Sequence, residues 1–189
     1  MSGRRRNKLA MEPYSFPTTP STYSFLVPRA GYWKFVGWGA GGKGNAGVSG
    51  GASGAYFEST RFLPRGAAVS VAVPTTGDTV ITFPDGKVVT AGAATFGVAG
   101  AAFGGDLNLA GTAGMASGGS PGAAGQGTGG GGGGAGAGAS GGAGAPANLP
   151  YRGGAGGGSG EQPGVGAGAT ENSNAQVGPG LVLAVYLRS

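Results

Sequence analysis

Apolar and polar positions alternate with a period of two in several short runs. Tyr32-Trp33-Lys34-Phe35-Val36 puts Trp33 and Phe35 on one face and Lys34 on the other. Val69, Val71 and Val73 share a face in the same way. Further β-branched and aromatic runs are Tyr23 to Val27, Ala55 to Glu58, Thr79 to Phe83 and Lys87 to Thr90. Each is bounded by Gly, Pro or Asp and reads as a strand. Pro74 to Asp78 and Pro84-Asp85-Gly86-Lys87 fall between such runs, the second as a hairpin with an Asp-Gly turn. A last apolar run, residues 180–187, calls for a partner strand early in the chain. The pattern predicts an all-β fold without substantial helix, a β-sandwich or jelly-roll-like sheet system. Its core contains Trp33, Phe35, Phe57, Val71, Ile81 and Leu183.

Between the early strands and the last one the pattern disappears. Glycine accounts for 48 of the 189 residues, and 33 of these lie between Gly97 and Gly180. Glycine loses the most backbone entropy on folding and gives a core no side chain. Such a segment stays loose, or it packs backbone against backbone where nothing larger fits. Glycine recurs at every third position in stretches such as Gly41, Gly44, Gly47, Gly50 and Gly127, Gly130, Gly133, Gly136. That spacing gives a polyproline-II-type helix one bare face. The insert, about residues 111–179, is poor in the charged residues of solvated disorder. Its expected form is a set of packed glycine helices, with a loose loop as the competing outcome.

Residues 1–20 read as an arm, basic at Arg4, Arg5, Arg6 and Lys8, then proline-rich around Tyr14 and Phe16. An extended, aromatic-bearing arm suits docking onto a partner, and a free terminus is the alternative. Residues 21–189 form the glycine-rich β domain. The arm supplies four of the twelve cations and, with Glu12, one of the seven acids; elsewhere eight cations face six acids, so the basic charge is expected to belong to the arm.

Composition narrows the chemistry. There is no cysteine and no histidine, so disulfides, thiolate metal sites and His-based triads are absent from the chain. The seven acids are scattered, with no pair at a motif-like spacing. Gly37 to Gly44 follows a strand and contains a Gly-Lys, but it lacks the phosphate-loop pattern and a following helix. Arg152-Gly153-Gly154 is a lone arginine-glycine triplet. These features predict no catalytic residues, no metal, no cofactor and no specific nucleic-acid partner. No apolar run reaches the length of a membrane span, and no secretory leader is expected.

Three features together resemble the glycine-rich domain of bacteriophage tail-fibre, tail-tip and related virion proteins. The first is Phe25-Leu26-Val27-Pro28 followed by an aromatic strand into Val36-Gly37-Trp38-Gly39-Ala40-Gly41-Gly42. The second is Gly50-Gly51-Ala52-Ser53-Gly54-Ala55-Tyr56, and the third is the closing Gly178 to Tyr186. The resemblance covers about residues 23–187. It implies a virion structural protein of tail or capsid surface, made in the host cytoplasm and often trimeric. The arm residues Arg4, Arg5, Arg6, Lys8, Tyr14 and Phe16, outside the resemblance, are expected to dock it to other virion proteins. Glycine-rich loops would meet a host glycan or outer-membrane protein. The long insert and the basic arm depart from the family pattern. An extracellular structural or ice-binding glycine-rich protein is the rival class.

Overall fold

The computed structural model describes residues 12–42, 51–95, 98–113 and 178–189. Among them the chain forms, in order, β1 (Tyr14–Phe16), β2 (Thr22–Leu26), β3 (Gly31–Trp38), β4 (Tyr56–Leu63) and β5 (Ala68–Ala72). There follow β6 (Thr79–Thr82), β7 (Val88–Ala91), β8 (Ala102–Phe103), β9 (Leu107–Leu109) and β10 (Leu181–Arg188). No helix occurs among the described residues. The strands make two antiparallel five-stranded sheets, ordered β1-β10-β3-β4-β9 and β2-β5-β6-β7-β8. The fold is an all-β sandwich, and β10 lies between β1 and β3 as its apolar sequence requires.

Alternation along β3 decides which side chains meet between the sheets. Trp33 and Phe35 point inward and are fully buried with Phe25, Phe57, Val71, Ile81 and Phe83. Trp33 packs edge-on against Phe25 and Tyr186 at ring separations of 5.4 and 5.3 Å, and its indole N–H donates to the Arg29 carbonyl. The other face of the same sheet carries a second buried cluster, Val36, Trp38, Tyr56 and Leu183. Leu183 is therefore core, but on the outer side of its sheet rather than between the two.

Tyr14 and Phe16, expected in a docking arm, belong to the sandwich. β1 pairs with β10 through Tyr14–Ala184 and Phe16–Val182. Phe16 is buried against Tyr23 and Phe25, and Tyr14 stacks near Phe25 and Trp33. The prolines at 13 and 17 stop β1 at three residues without excluding it, because an edge strand tolerates missing N–H groups. The arm thus ends before Tyr14, and Arg4, Arg5, Arg6 and Lys8 lie outside the described residues.

Register gives the sandwich two unlike ends. At one, β3 finishes at Trp38, β4 begins at Tyr56, β9 finishes at Leu109 and β10 begins at Leu181. The three long glycine-bearing connections, β3–β4, β7–β8 and β9–β10, leave from this end. At the other lie the β2–β3, β4–β5 and β6–β7 turns and the close of β10. Because β1 runs antiparallel to β10, the chain enters β1 from this second end.

Candidate functional site

At the glycine end the strands give way to extended segments that bond to one another outside the sheets. Gly39 N–H donates to Ala55 C=O at 3.0 Å, Ala55 N–H to Gly92 C=O at 2.9 Å, and Gly92 N–H to Ala101 C=O at 2.9 Å. Alongside, Ser53 N–H donates to Thr112 C=O, Gly111 N–H to Gly100 C=O, and Gly100 N–H to Ser53 C=O. Gly41 N–H reaches Gly178 C=O at 2.9 Å. Six stretches of chain are joined in this way with almost no side chains between them.

Close approach explains the glycines here. A Cβ on Gly92 would lie 2.6 Å from Ala101 O, and one on Gly39, Gly54, Gly100 or Gly111 would overlap the carbonyl of Gly92, Gly39, Gly92 or Ser53 respectively. None of these five glycines has a positive φ, so space rather than backbone conformation demands them. One side-chain lock is present. Ser53 and Thr112 are buried, their hydroxyls lie 3.1 Å apart, and Thr112 N–H donates to Ser53 Oγ at 2.7 Å. The packed glycine array expected over residues 111–179 falls outside the described residues except at 111–113 and 178–179.

The opposite end is basic. Its turns present Arg29, Arg65 and Lys87, β10 closes on Arg188, and Arg61 sits two residues from the end of β4. Lys34, the remaining described cation, is held by Glu58 at 2.6 Å in mid-sheet. Beside the arm, to which the net charge is assigned, the sandwich therefore gathers cations of its own at one end. Scattered cations converge because successive turns on one side of a meander share one end of the sheet. Sequence order alone hides this. Asp85 is the acid in these turns, and both its oxygens are engaged, Oδ1 by Lys87 N–H at 3.0 Å and Oδ2 by Arg61 Nη1 at 3.3 Å. Exposed Tyr32 and Phe62 stack edge-on at this end, with the Arg188 guanidinium over the Tyr32 ring.

Where β4 begins, Tyr56 OH donates to Glu58 Oε1 at 2.6 Å, beside the Lys34–Glu58 ion pair. Burial pushes the Tyr56 phenol far above its ordinary range, and the bond to Glu58 and that carboxylate's charge add to it. The phenol is a fixed donor, not an acid that turns over. Among the described residues no three His, Cys, Asp or Glu side chains gather as a metal site, and no helix is long and apolar enough to cross a membrane. No protein-family model matches the chain, and a search of curated proteins finds no matching relative.

Proposed function

We propose that the chain is a bacteriophage virion structural protein, a small fibre, tail-tip or capsid-surface subunit. The observation that carries this reading is the opposition of the two ends. The basic arm joins the sandwich at the end already rich in Arg and Lys, and the three long glycine-bearing connections depart from the other. Such a polarity suits a subunit that docks by one end and projects the other toward a host glycan or outer-membrane protein. Exposed Leu26 and Phe103, 64% and 66% accessible, favour a homo-oligomer, a trimer first, in which a second copy covers them.

Immunogold labelling of particles purified from the source of the gene tests the reading. Label on tail or capsid is expected, with peptides of this chain in the particle digest. Unlabelled particles without such peptides overturn it. Removing residues 2–13 is expected to leave the domain folded and abolish incorporation. The cut stops short of β1, whose rings the core uses. Sedimentation as a folded monomer would remove the oligomer.

The backbone-bonded glycine end also favours a second reading, an ice-binding or extracellular structural protein with a flat, regular face. Thermal hysteresis in dilute solution separates the two.

A further inference from the structure

The β4 strand is paired on both sides only over its first half. β9 covers it from Tyr56 to Glu58 and no further. Asp106 ends that ladder: its N–H donates to Glu58 C=O at 2.8 Å, and its carboxylate accepts the Thr60 N–H at 2.6 Å. In a strand the N–H and C=O of alternate residues point to the same side. Glu58 C=O and Thr60 N–H both face Asp106 rather than β3, so by alternation Thr60 and Phe62 aim their backbone groups at the open side and Arg61 and Leu63 theirs at β3. Among the described residues nothing bonds to Thr60 C=O or to Phe62 N–H and C=O there. They form a short ladder with alternating acceptors and a donor.

A groove of about 280 Å³ lies against this stretch, between residues 60–64 and residues 83–85. Its rim is positive. Arg65 follows the lining on one side and Lys87 on the other, both exposed and neither ion-paired among the described residues. Arg61 lines the wall over the Phe83 ring, with a buried Nε that has no partner. The two nearby carboxylates, Asp85 and Asp106, are occupied by the bonds already described. Exposed Phe62 supplies apolar surface at the mouth.

We infer that this open edge takes an extended acidic peptide segment, which adds a strand beside residues 60–62 with its carboxylates toward Arg65 and Lys87. Strand addition of this kind draws affinity from main-chain bonds and selectivity from the flanking side chains. A phosphate backbone matches the charge but not the edge, because phosphates only accept and two of the three free groups are carbonyls. The inference stands on the edge geometry and holds whether or not the chain belongs to a virion.

The test uses the full chain and a fluorescent, capped peptide of about seven alternating glutamate and valine residues, followed by anisotropy. Saturable binding is expected, weakening as salt rises from about 50 to about 300 mM. Charge reversal at both flanks (R65E with K87E) should weaken binding by about tenfold or more. F62P removes an N–H that only the open side uses, and it should abolish binding while the circular dichroism spectrum holds. The same peptide N-methylated at alternate amides should fail on the unaltered protein, a result independent of how F62P folds. Equal binding of the methylated peptide overturns the inference. So does a DNA duplex of about 20 base pairs that binds more tightly with the same flank dependence, which marks a general polyanion surface. Absence of peptide binding up to about 1 mM also overturns it.

Discussion

The middle of the sandwich and its glycine end are both closely packed, by opposite means. In the middle, rings fill the space between sheets: Trp33, Phe35 and Phe57 are wholly buried, and Trp33 and Phe35 each meet the Phe25 ring edge-on. At the glycine end, carbonyl and N–H groups fill it, and even a methyl is too large beside Gly54 or Gly111. The middle is stabilised mainly by apolar area removed from water, about 25 cal/mol per Å². The glycine end depends on hydrogen bonds netting about 1 kcal/mol each, against a larger entropy loss per residue. The two regions should therefore respond in opposite directions to side-chain size. The middle fails when side chains shrink, and the glycine end fails when they grow.

The largest effect is expected at Trp33. Trp33→Ala leaves a void among Tyr14, Phe25 and Tyr186 and strands the Arg29 carbonyl. Loss of about 3–5 kcal/mol is expected in denaturant unfolding. Loss under about 1 kcal/mol would mean that the sheets re-close without the ring, and that the middle is not packed by shape.

The glycine end is tested by enlargement. Gly111→Ala and Gly54→Ala each force a methyl onto a carbonyl oxygen that the hydrogen-bonded neighbours hold in place. Each should destabilise by about 1–3 kcal/mol, although alanine is the better residue on unfolded-state entropy alone. Amide exchange should quicken at Ser53, Gly100 and Gly111 together, since their bonds share one network. Neutral or stabilising alanines would show that the end yields like a loop.

These two responses also separate what was legible in the sequence from what was not. The strand system was legible because period-two alternation is local: Trp33, Phe35, Val71 and Ile81 declare their face within five residues of themselves. The Asp-Gly turn at Asp85-Gly86 was legible for the same reason, and Gly86 adopts a positive φ of 80°. The close approaches were not. Gly39, Gly54, Gly92, Gly100 and Gly111 share no common spacing, because each is set by a neighbour brought alongside by sheet pairing. A search for every-third-residue glycines could not find them. The basic end and its groove were hidden likewise, since Arg29, Arg65, Lys87 and Arg188 lie on separate returns of the chain that only the sheet pairing brings to one end. Tyr14 and Phe16 were misread because flanking prolines mask a three-residue edge strand, whose only sign was two aromatics on one face.

Tyr56 stands at the seam, first in β4 and next to Ala55, which bonds to Gly92. Its phenol is shifted upward by burial first and by Glu58 second. The sign follows from linkage. The unfolded phenol ionises near pH 10 while the folded one keeps its proton, so the folded state binds more protons above that pH. Stability should be unaffected by this group below about pH 10 and fall by up to about 1.4 kcal/mol per unit above it. Tyr56→Phe should flatten that alkaline limb, read from denaturant midpoints across pH. An unchanged limb would assign alkaline loss to other groups and leave the seam without a role in it.

The smallest effect is expected at Gly66, and it separates two reasons for being glycine. Gly66 turns from β4 to β5 with φ +81°, and nothing lies within 4 Å of a Cβ placed on it. Conformation alone demands glycine there, whereas Gly111 is demanded by space alone. Alanine at 66 meets the left-handed penalty of about 1–2 kcal/mol, less about 0.4–1 kcal/mol gained by stiffening the unfolded chain. A net loss near 1 kcal/mol or below is expected, with no change in amide exchange at Ser53 or Gly100. Asparagine at 66 should recover part of the loss, because it tolerates that region better than alanine. At Gly111 asparagine should do worse than alanine, since it adds bulk where bulk is the fault. If asparagine ranks the same way against alanine at both positions, conformation and space are not separate demands in this fold, and the contrast between its middle and its glycine end loses its basis.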